Sequence, residues 1–460
     1  MTCQRAATEC HNLNQIITRT PFKTSRLAEF TSEKELINQT GHDIKEWPIV
    51  VLKELVDNSL DACEEARIAP VITITVDACG ISVSDNGPGI TPVTVTNMLD
   101  YSARVSSREA YVAPTRGAQG NALKTIIAMP FALTGEAGRV LIRSREVDHE
   151  IILSVDRIRQ EPKIAHVQDL GVVKFGTEVL VEWPNLACSI VDDAVDRFLQ
   201  VVQAIHWANP HLDISLNWNR NGRFFQSHDR ATNPSWRKWT ASDPTPASWY
   251  DADRLARLIG ANISHAEDSR LPCQTVREFV SEFKGLSGTA KGKAICDAVG
   301  ASRLSLREFF GDGEDLDSVN SLLNEMIRSS KPIKPRELGV IGRDHILNKF
   351  EACGVDHKSF DYQKNEFEYD GLPYVIEVAF GYCPNEDNSR RIVTGINWTT
   401  SVGADPFRQL GPSGQSLDGL LTAQRAKRDE PIVIFVHLAC PRIQYLDRGK
   451  SNVSIPYGVS

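Results

Sequence analysis

The 460-residue chain lacks a surplus of positive charge, since 51 lysine and arginine residues stand against 59 acidic residues and leave a formal net charge of −8. This balance argues against a generally basic nucleic-acid coat, although it permits local basic patches. The ten scattered cysteines include no CxxC pair, so neither a zinc site nor a disulfide framework is indicated. We therefore expect a reducing, cytoplasmic location.

Long hydrophobic runs are also missing. The apolar segment PIVIFVHLAC, residues 431–440, has the length of a buried strand and is too short to span a bilayer. The first residues, MTCQRAATECHNLNQ, lack the apolar core of a secretory signal. We expect no membrane association. With 41% hydrophobic and 24% charged residues, the composition is that of a globular protein, and its length suggests roughly three domains.

Periodic patterns divide the chain into four predicted segments. The first 30 residues are polar and form an arm or strap, and residues 31–226 alternate helical and strand patterns typical of an α+β domain. Residues 227–330 begin as a Pro/Ser/Thr-rich linker and continue as short helices. Residues 331–460 begin with a second proline-rich connector, after which strand patterns return.

The stretch KELVDNSLDACEEA, residues 53–66, belongs to a predicted helix whose polar side chains are aligned. Glu54, Asn58 and Asp61 share one face, because positions i, i+4 and i+7 of a helix lie in line. An asparagine oxygen can ligate Mg²⁺, and a glutamate one turn away can take a proton from a water that attacks a phosphate. Taken alone, a solvated helix face is the better interpretation.

The next candidate segment is DNGPGI, residues 85–90, which follows a predicted β-hairpin over residues 71–85. Gly87 and Gly89 allow the backbone to approach a ligand closely. A buried Asp85 could accept a hydrogen bond from an exocyclic amine such as that of adenine. The alternative is a plain turn, because Asp-Asn-Gly is a frequent turn sequence.

A glycine-rich segment, RGAQGNALKT, residues 116–125, precedes a predicted helix. Gly117 and Gly120 permit a loop whose amide groups face a phosphate, and the helix dipole behind the loop would favour that charge. Lys124 could reach the phosphates or could lie on the surface. The spacing of a Walker A loop is absent, so the motif has low specificity by itself.

In this order, the stretches ELVDNSLDA, DNGPGI, RGAQGNALKT and GTEVLVEW resemble the ATP-binding (GHKL, or Bergerat) domain shared by gyrase and histidine kinases. The resemblance implies an α/β sandwich that binds ATP and Mg²⁺. It implies that Glu54 is the general base, that Asn58 is the Mg²⁺ ligand and that Asp85 reads adenine.

The resemblance also implies the remaining contacts to the nucleotide. Gly87 and Gly89 would shape the adenine wall, and Thr177 would support the water network beside it. Asp61 would orient the site, whereas Asp57, one position off the polar face, is interpreted as solvated or as a helix cap. The implied phosphate lid and its neighbours are Arg116, Gly117, Ala118, Gln119, Gly120, Asn121 and Lys124.

The flanking segments are similar to the B subunit of topoisomerase VI, a type IIB DNA topoisomerase, and the resemblance covers most of residues 24–455. It implies a small helix-two-turn-helix domain and then a transducer-like α/β domain, whose Lys450, in DRGKS, would reach the ATP γ-phosphate. It further implies an ATP-dependent homodimer that closes on double-stranded DNA and a separate DNA-cleaving partner of the A-subunit type. The basic residues that could touch phosphates are Arg328, Lys331, Lys334, Arg336 and Arg343.

The sequence departs from this family after Lys450, where the family continues into a long helix that docks the DNA-cleaving partner. Here Ser460 follows ten residues later, which implies either a different docking element or a machine without a conventional partner of the A-subunit type. A non-topoisomerase ATPase, for DNA sensing or defence, is therefore the alternative. A histidine kinase is disfavoured, because neither His11 nor His42 lies on a helix pair upstream of the site. A non-hydrolysing scaffold is disfavoured by Glu54 and Lys450.

Overall fold

The computed structural model describes residues 27–101, 111–117, 122–156, 161–311, 316–384, 389–403, 405–410, 415–446 and 452–455. The helices within these ranges are α1 (Glu33–Thr40), α2 (Trp47–Glu65), α3 (Pro92–Met98), α4 (Ala122–Thr134), α5 (Cys188–Asp193), α6 (Val195–Ala208), α7 (Ala252–Asp268), α8 (Val276–Ser281), α9 (Thr289–Ala298), α10 (Leu306–Phe310), α11 (Leu316–Ser329), α12 (Arg343–Ala352) and α13 (Leu417–Ala423). The strands are β1 (Val71–Val76), β2 (Gly80–Asp85), β3 (Gly138–Ser144), β4 (Val147–Asp156), β5 (Glu161–Leu170), β6 (Thr177–Glu182), β7 (Asp213–Arg220), β8 (Arg223–Asp229), β9 (Asp361–Tyr369), β10 (Leu372–Tyr382), β11 (Arg391–Ile396), β12 (Ile432–Ala439), β13 (Gln444–Tyr445) and β14 (Val453–Ser454).

A mixed eight-stranded sheet forms the first half of the molecule, in the order β5-β4-β3-β6-β2-β1-β7-β8. Strands β1 and β7 run parallel, and the other neighbours are antiparallel. Helices α2, α4 and α6 pack on this sheet, which gives the two layers of an α/β sandwich. The predicted hairpin is confirmed, because β1 and β2 pair with Ile72 opposite Asp85.

Helix α2 lies at the centre of this layer. Most of its side chains are buried, among them Val51, Leu52 and Leu60, which are fully inaccessible to solvent. Pro48 occupies the first turn, where a missing amide hydrogen costs nothing, and the helix ends before Pro70. The core therefore fixes both the position and the rotation of α2, and with them the direction of its few open side chains.

Helices α7–α11 form a small helical unit after the first sheet, as the sequence predicts for residues 250–330. Two of its helices start with a capping box. In this motif the hydroxyl of the first residue accepts a hydrogen bond from the backbone amide three residues later, and the glutamate at that later position accepts one from the backbone amide of the first residue. Thr275 and Glu278 cap α8, and Ser305 and Glu308 cap α10. These local bonds explain why such short helices form here.

The segment predicted as a linker is packed rather than open. Trp236, Trp239 and Trp249 are each buried, and the rings of Trp239 and Trp249 lie 5.0 Å apart. The predicted domain boundaries stay predictions, and β8 continues past residue 226 to Asp229. The tryptophans show that this segment joins the helical unit to its neighbours through a shared apolar core.

A second sheet, in the order β11-β12-β10-β9, follows the helical unit. Three of its strands, β10, β11 and β12, match strand patterns in the sequence. Trp207, near the end of α6, packs against Phe350 of α12 and Phe435 of β12, with ring centroids 5.4 and 6.0 Å away. The two halves of the molecule therefore meet at the end of α6. In the described ranges, no helix combines the length and the apolar character needed to cross a membrane.

Candidate functional site

Glu54 and Asn58 lie on the open side of α2. The side chain of Glu54 is 26% exposed, and Asn58 is exposed. Because the rest of the helix is anchored in the core, these two side chains are held one turn apart on a fixed surface. The helix thus presents a carboxylate and an amide oxygen side by side.

Asp85, at the end of β2, is held by three uncharged donors. The Ser59 hydroxyl donates to its Oδ2 at 3.0 Å, and the backbone amides of Gly87 and Thr177 donate to its Oδ1 at 2.8 and 3.2 Å. Burial raises the pKa of Asp85 above its usual value, although these hydrogen bonds oppose the rise. Since Ser59 is a buried residue of α2, the first of these bonds ties Asp85 to that helix.

The glycines around Asp85 are required by close backbone approaches. Gly176 has a φ of 76°, and a Cβ atom there would lie 1.8 Å from the backbone oxygen of Asp85. Gly89 has a φ of 77°, and its Cβ atom would lie 2.7 Å from the hydroxyl oxygen of Ser144. The Gly176 amide also donates to the Gly87 carbonyl at 2.9 Å. The loops on either side of Asp85 are therefore locked against each other.

Two serines in this region were missed by the sequence analysis. Ser144 is fully buried opposite Thr177 in the pairing of β3 and β6. Its hydroxyl donates to the Gly176 carbonyl at 2.8 Å, accepts from the Ile90 amide at 2.9 Å and lies 3.4 Å from the Thr177 hydroxyl. Strand register brings Ser144 here, far from any quoted motif, and the rotation of α2 directs Ser59, within ELVDNSLDA, toward Asp85.

Arg116 lies in a buried ion cluster. Its guanidinium donates to both oxygens of Glu64 at 2.6 Å, to Asp61 at 2.5 Å and to the side-chain oxygen of Asn209 at 2.6 Å. Its Nε atom donates to the backbone oxygen of Trp398 at 3.3 Å. All these donors are therefore engaged by protein oxygens, and the geometry gives Arg116 an anchoring role at the start of the predicted lid. Its assignment to the nucleotide site stays a prediction.

Glu64 is the centre of this cluster. Besides Arg116, it contacts His211 at 2.9 Å and Lys238 at 2.9 Å, and its side chain is only 6% exposed. Burial would raise the pKa of Glu64, but the charges of Arg116 and Lys238 outweigh burial and hold the pKa well below its usual value. Asp61 joins the same cluster, because its carboxylate forms an ion pair with Arg116.

The interpretation of Asp57 as a solvated or capping residue is wrong. Its side chain is 6% exposed and forms an ion pair of 2.7 Å with Lys53, one turn earlier on α2. The Thr399 hydroxyl lies 2.8 Å from each oxygen of Asp57. Helical periodicity could not reveal the burial of Asp57, because Thr399, which follows the second sheet's strand β11, lies 342 residues later in the sequence.

Comparisons with known proteins point in one direction. The chain is 24% identical to the B subunit of type 2 DNA topoisomerase 6 from Archaeoglobus fulgidus, with 88% of this chain and 66% of the relative aligned. It is 28% identical to the proteins of that name from Thermococcus onnurineus (94% and 83% aligned) and Methanosarcina mazei (88% and 65% aligned). This chain resembles topoisomerase 6 B subunits along most of its length.

Other comparisons add less. No family model matches the chain. A solved N-terminal domain of a DNA repair protein aligns over 88% of this chain and 87% of its own, at 12% identity and a TM-score of 0.38. The chain spans about two thirds of the length of the Archaeoglobus fulgidus relative, at 66%.

The part of the site that corresponds to the predicted phosphate lid is described only at its ends. Gly117 is exposed. The Lys124 ammonium group donates to the Asp100 carbonyl at 2.6 Å and lies 5.3 Å from the centre of the Tyr101 ring. These contacts link the first turn of α4 to the segment that follows α3. Four predicted lid residues lie outside the described residues: Ala118, Gln119, Gly120 and Asn121.

Lys450, the predicted γ-phosphate ligand, also lies outside the described residues, so its role stays a prediction. The described strand that precedes it, β13, lies close enough to α2 for Tyr445 to act electrostatically on Lys53. Among the described residues, no group of three or more His, Cys, Asp or Glu side chains is placed to hold a metal ion.

Proposed function

We propose that this chain binds and hydrolyses ATP, with Glu54 as the general base, Asn58 as a Mg²⁺ ligand and Asp85 as the acceptor for the exocyclic amine of adenine. The observation that carries the proposal is the Ser59–Asp85 hydrogen bond of 3.0 Å. It joins two motifs that are separate in the sequence and places the adenine acceptor beside the helix that presents Glu54 and Asn58.

The environment of Asp85 suits an adenine acceptor. A carboxylate offers about four acceptor positions, and three are filled by Ser59, Gly87 and Thr177. Among the described residues, Oδ2 accepts from the serine hydroxyl alone, which leaves a position on that oxygen. Because the surrounding donors are fixed, a ligand amine that binds there meets an acceptor that is already oriented.

The open face of α2 fits a magnesium nucleotide. Mg²⁺ is usually held by one or two protein ligands, with substrate phosphates and waters completing its octahedron. A single neutral oxygen from Asn58 meets that requirement, and the described residues offer no all-protein metal site that would compete. When bound, Mg²⁺ supplies neutralisation of the phosphate charge.

Glu54 would act on the attacking water. Its carboxylate stands one turn before Asn58 and remains 26% exposed, so a water between the two side chains is accessible to it. Nζ of Lys53 lies 3.6 Å from its Oε1 and places a positive charge beside the carboxylate. The lid and Lys450 would contribute the phosphate contacts predicted from the sequence.

The wider assembly is proposed by analogy with the B subunits that the chain resembles. ATP binding would close a homodimer on double-stranded DNA, and cleavage would require a separate partner of the A-subunit type. The basic residues predicted to touch phosphates lie in or beside the connector before the second sheet, which suits this role: Arg328, Lys331, Lys334, Arg336 and Arg343. Arg328 also pairs with Glu325, an exchangeable surface contact.

The test is Glu54→Gln, which keeps the shape of the side chain and removes the base. We expect kcat for ATP to fall by about 10²- to 10⁴-fold, the usual contribution of a general base, while ATP binding by calorimetry is retained. Glu65→Gln is the matched control, because Glu65 is exposed on the same helix and should leave kcat unchanged. Turnover by Glu54→Gln at the parent rate would refute the role of Glu54.

A second measurement tests the clamp. Light scattering of Glu54→Gln with ATP and Mg²⁺ should show a dimer, because the nucleotide is bound without being consumed. A chain that stays monomeric at micromolar concentration would contradict the ATP-gated dimer. Relaxation of supercoiled DNA by the chain with a copurifying cleavage protein would support the topoisomerase role over a non-topoisomerase ATPase on the same dimer.

A further inference from the structure

A strained turn of the second sheet contacts α2. Asn397 and Trp398, which follow β11, have φ angles of 47° and 61°. Ile396 and Thr399 close the turn with backbone hydrogen bonds of 2.9 and 3.1 Å. The left-handed conformation is unfavourable for a bulky aromatic residue, so surrounding contacts must hold Trp398 in place.

Those contacts come from both halves of the molecule. The Trp398 carbonyl accepts from Arg116 at 3.3 Å and from Asn209 at 2.9 Å. Its amide donates to Nε2 of His437, in β12, at 3.1 Å. The indole is fully buried. The position of the turn is therefore set by the second sheet on one side and by the ion cluster of the first half on the other.

From this turn, a chain of buried polar contacts leads to Glu54. The Thr399 hydroxyl lies 2.8 Å from both oxygens of Asp57, Asp57 pairs with Lys53 at 2.7 Å, and Nζ of Lys53 lies 3.6 Å from Oε1 of Glu54. Thr399 is 5% exposed, so water does not readily replace its hydroxyl.

Lys53 is shared between two carboxylates, which makes its position sensitive to Thr399. Burial would lower the pKa of Lys53, but Asp57 and Glu54 together raise it, so the ammonium group stays charged. One hydroxyl hydrogen from Thr399 keeps Asp57 oriented toward Lys53. Without it, Asp57 can rotate to satisfy its oxygens elsewhere, and Lys53 follows its stronger partner away from Glu54.

We propose that Thr399 is a positioning residue for Glu54, acting through Asp57 and Lys53. This inference rests on the proposed function, since it takes Glu54 to be the base. It makes the geometry of the base depend on a turn of the second sheet. ATP hydrolysis would accordingly need the two halves of the chain to be docked as they are here.

The test compares three variants in steady-state ATP hydrolysis. Thr399→Val keeps the shape and loses the hydroxyl, so kcat should fall by about 10- to 100-fold with little change in KM, as for partners that orient a reacting group. Thr399→Ser keeps the hydroxyl and should restore most of kcat. Thr400→Val is the matched control: Thr400 is also buried, and within the described residues its hydroxyl has no hydrogen bond to α2.

A charge-neutral pair adds a second arm. Lys53→Met combined with Asp57→Asn removes both charges without leaving either one unpaired. If Lys53 acts on Glu54, the kcat of this folded double variant should be lower than that of the parent chain, as for Thr399→Val. If the kcat of the double variant equals that of the parent chain, the Lys53–Asp57 pair is only structural and the proposal is overturned. Should Thr399→Val fail to fold, Thr399→Ala serves instead, because it places no methyl group against Asp57.

The outcomes separate this inference from the proposed function. If Glu54→Gln loses turnover while Thr399→Val keeps the kcat of the parent chain, only the positioning role fails. If Glu54→Gln turns over at the parent rate, the proposed function fails, whatever the Thr399 variants do. A rise in KM with unchanged kcat in Thr399→Val would also overturn the positioning role, because it would indicate altered ATP binding.

Discussion

The carboxylates of Asp85, at the end of β2, and Glu64, in the last turn of α2, have opposite environments in the fold. Asp85 receives hydrogen bonds from neutral donors, and its pKa is raised by burial. Glu64 is surrounded by Arg116, Lys238 and His211, and its pKa is held well below the usual value. Asp85 is held by neutral donors, whereas Glu64 is paired with protein cations.

Under the proposed function, this difference separates a residue that binds the nucleotide from a residue that anchors the fold. Neutral donors orient Asp85 without supplying a positive charge, which suits the proposed acceptor for an amine. The cations around Glu64 come from distant segments: Arg116 precedes the predicted lid, and Lys238 belongs to the tryptophan-rich connector. Through Arg116 and Asn209, the cluster also reaches the Trp398 carbonyl of the second sheet. It therefore holds the halves of the molecule together.

The largest expected effect comes from breaking the anchor. Arg116→Leu leaves Glu64 and Asp61 without their shared guanidinium, and the apparent free energy of unfolding in urea should fall by about 3–5 kcal/mol, as when one partner of a buried ion pair is removed. The matched control is Arg139→Leu. Arg139 also pairs with two carboxylates, Glu150 and Glu182, but is 39% exposed, so about 1 kcal/mol or less is expected.

Equal losses in the two variants would contradict the comparison, because burial would then have no bearing on the cost. Far-ultraviolet circular dichroism at zero denaturant should show that both variants start from the folded state.

A smaller effect concerns the dependence of stability on pH. The ionised Glu64 contributes stability that is present above its unfolded pKa, near 4.3, and is lost as pH falls through its depressed folded pKa. Asp85 has the opposite sign, because its folded pKa is raised. Its contribution is present below its unfolded pKa, near 3.9, and is lost as pH rises through the folded value.

The measurement is the urea midpoint of Glu64→Gln and Asp85→Asn relative to the parent chain between about pH 3 and 7, which spans both unfolded pKa values. The advantage of the parent over Glu64→Gln should grow as pH rises. The stability difference between the parent chain and Asp85→Asn should decrease as pH rises. The total decrease is about 1.4 kcal/mol for each unit by which the folded pKa of Asp85 exceeds its unfolded pKa. If the two stability differences changed with pH in the same direction, the opposite pKa shifts of Glu64 and Asp85 would be contradicted.

Local patterns in the sequence predict much of the scaffold. The hairpin of β1 and β2, the helix α2 and the strands β10, β11 and β12 all follow from periodicity and turn residues, which act over short distances. The strands β5 and β9 were not predicted, since their polar, largely exposed sequences lack a clear alternation. The order of the strands in either sheet depends on long-range pairing and could not be read from such patterns.

The candidate site divides in the same way. Asp85, Gly87 and Thr177 are predicted by short motifs, and the structure brings them together. The burial of Asp57 was not predicted, because Thr399 contacts it from 342 residues away. The pairing of Arg116 with Glu64 could not be predicted either, because the two residues are 52 residues apart in sequence. A charged residue next to a motif is assigned to that motif when only the sequence is known. Its buried partners become visible only in the fold, because burial depends on tertiary packing.

The most direct test of the ATP site is the affinity of Asp85→Asn for ATP with Mg²⁺, measured by calorimetry against the parent chain. The variant keeps the size of the side chain but offers an amide in place of a charged acceptor. Loss of one hydrogen bond to a charged group should weaken binding by about 10- to 100-fold. Unchanged affinity in a folded Asp85→Asn variant would contradict the assignment of Asp85 as the adenine acceptor.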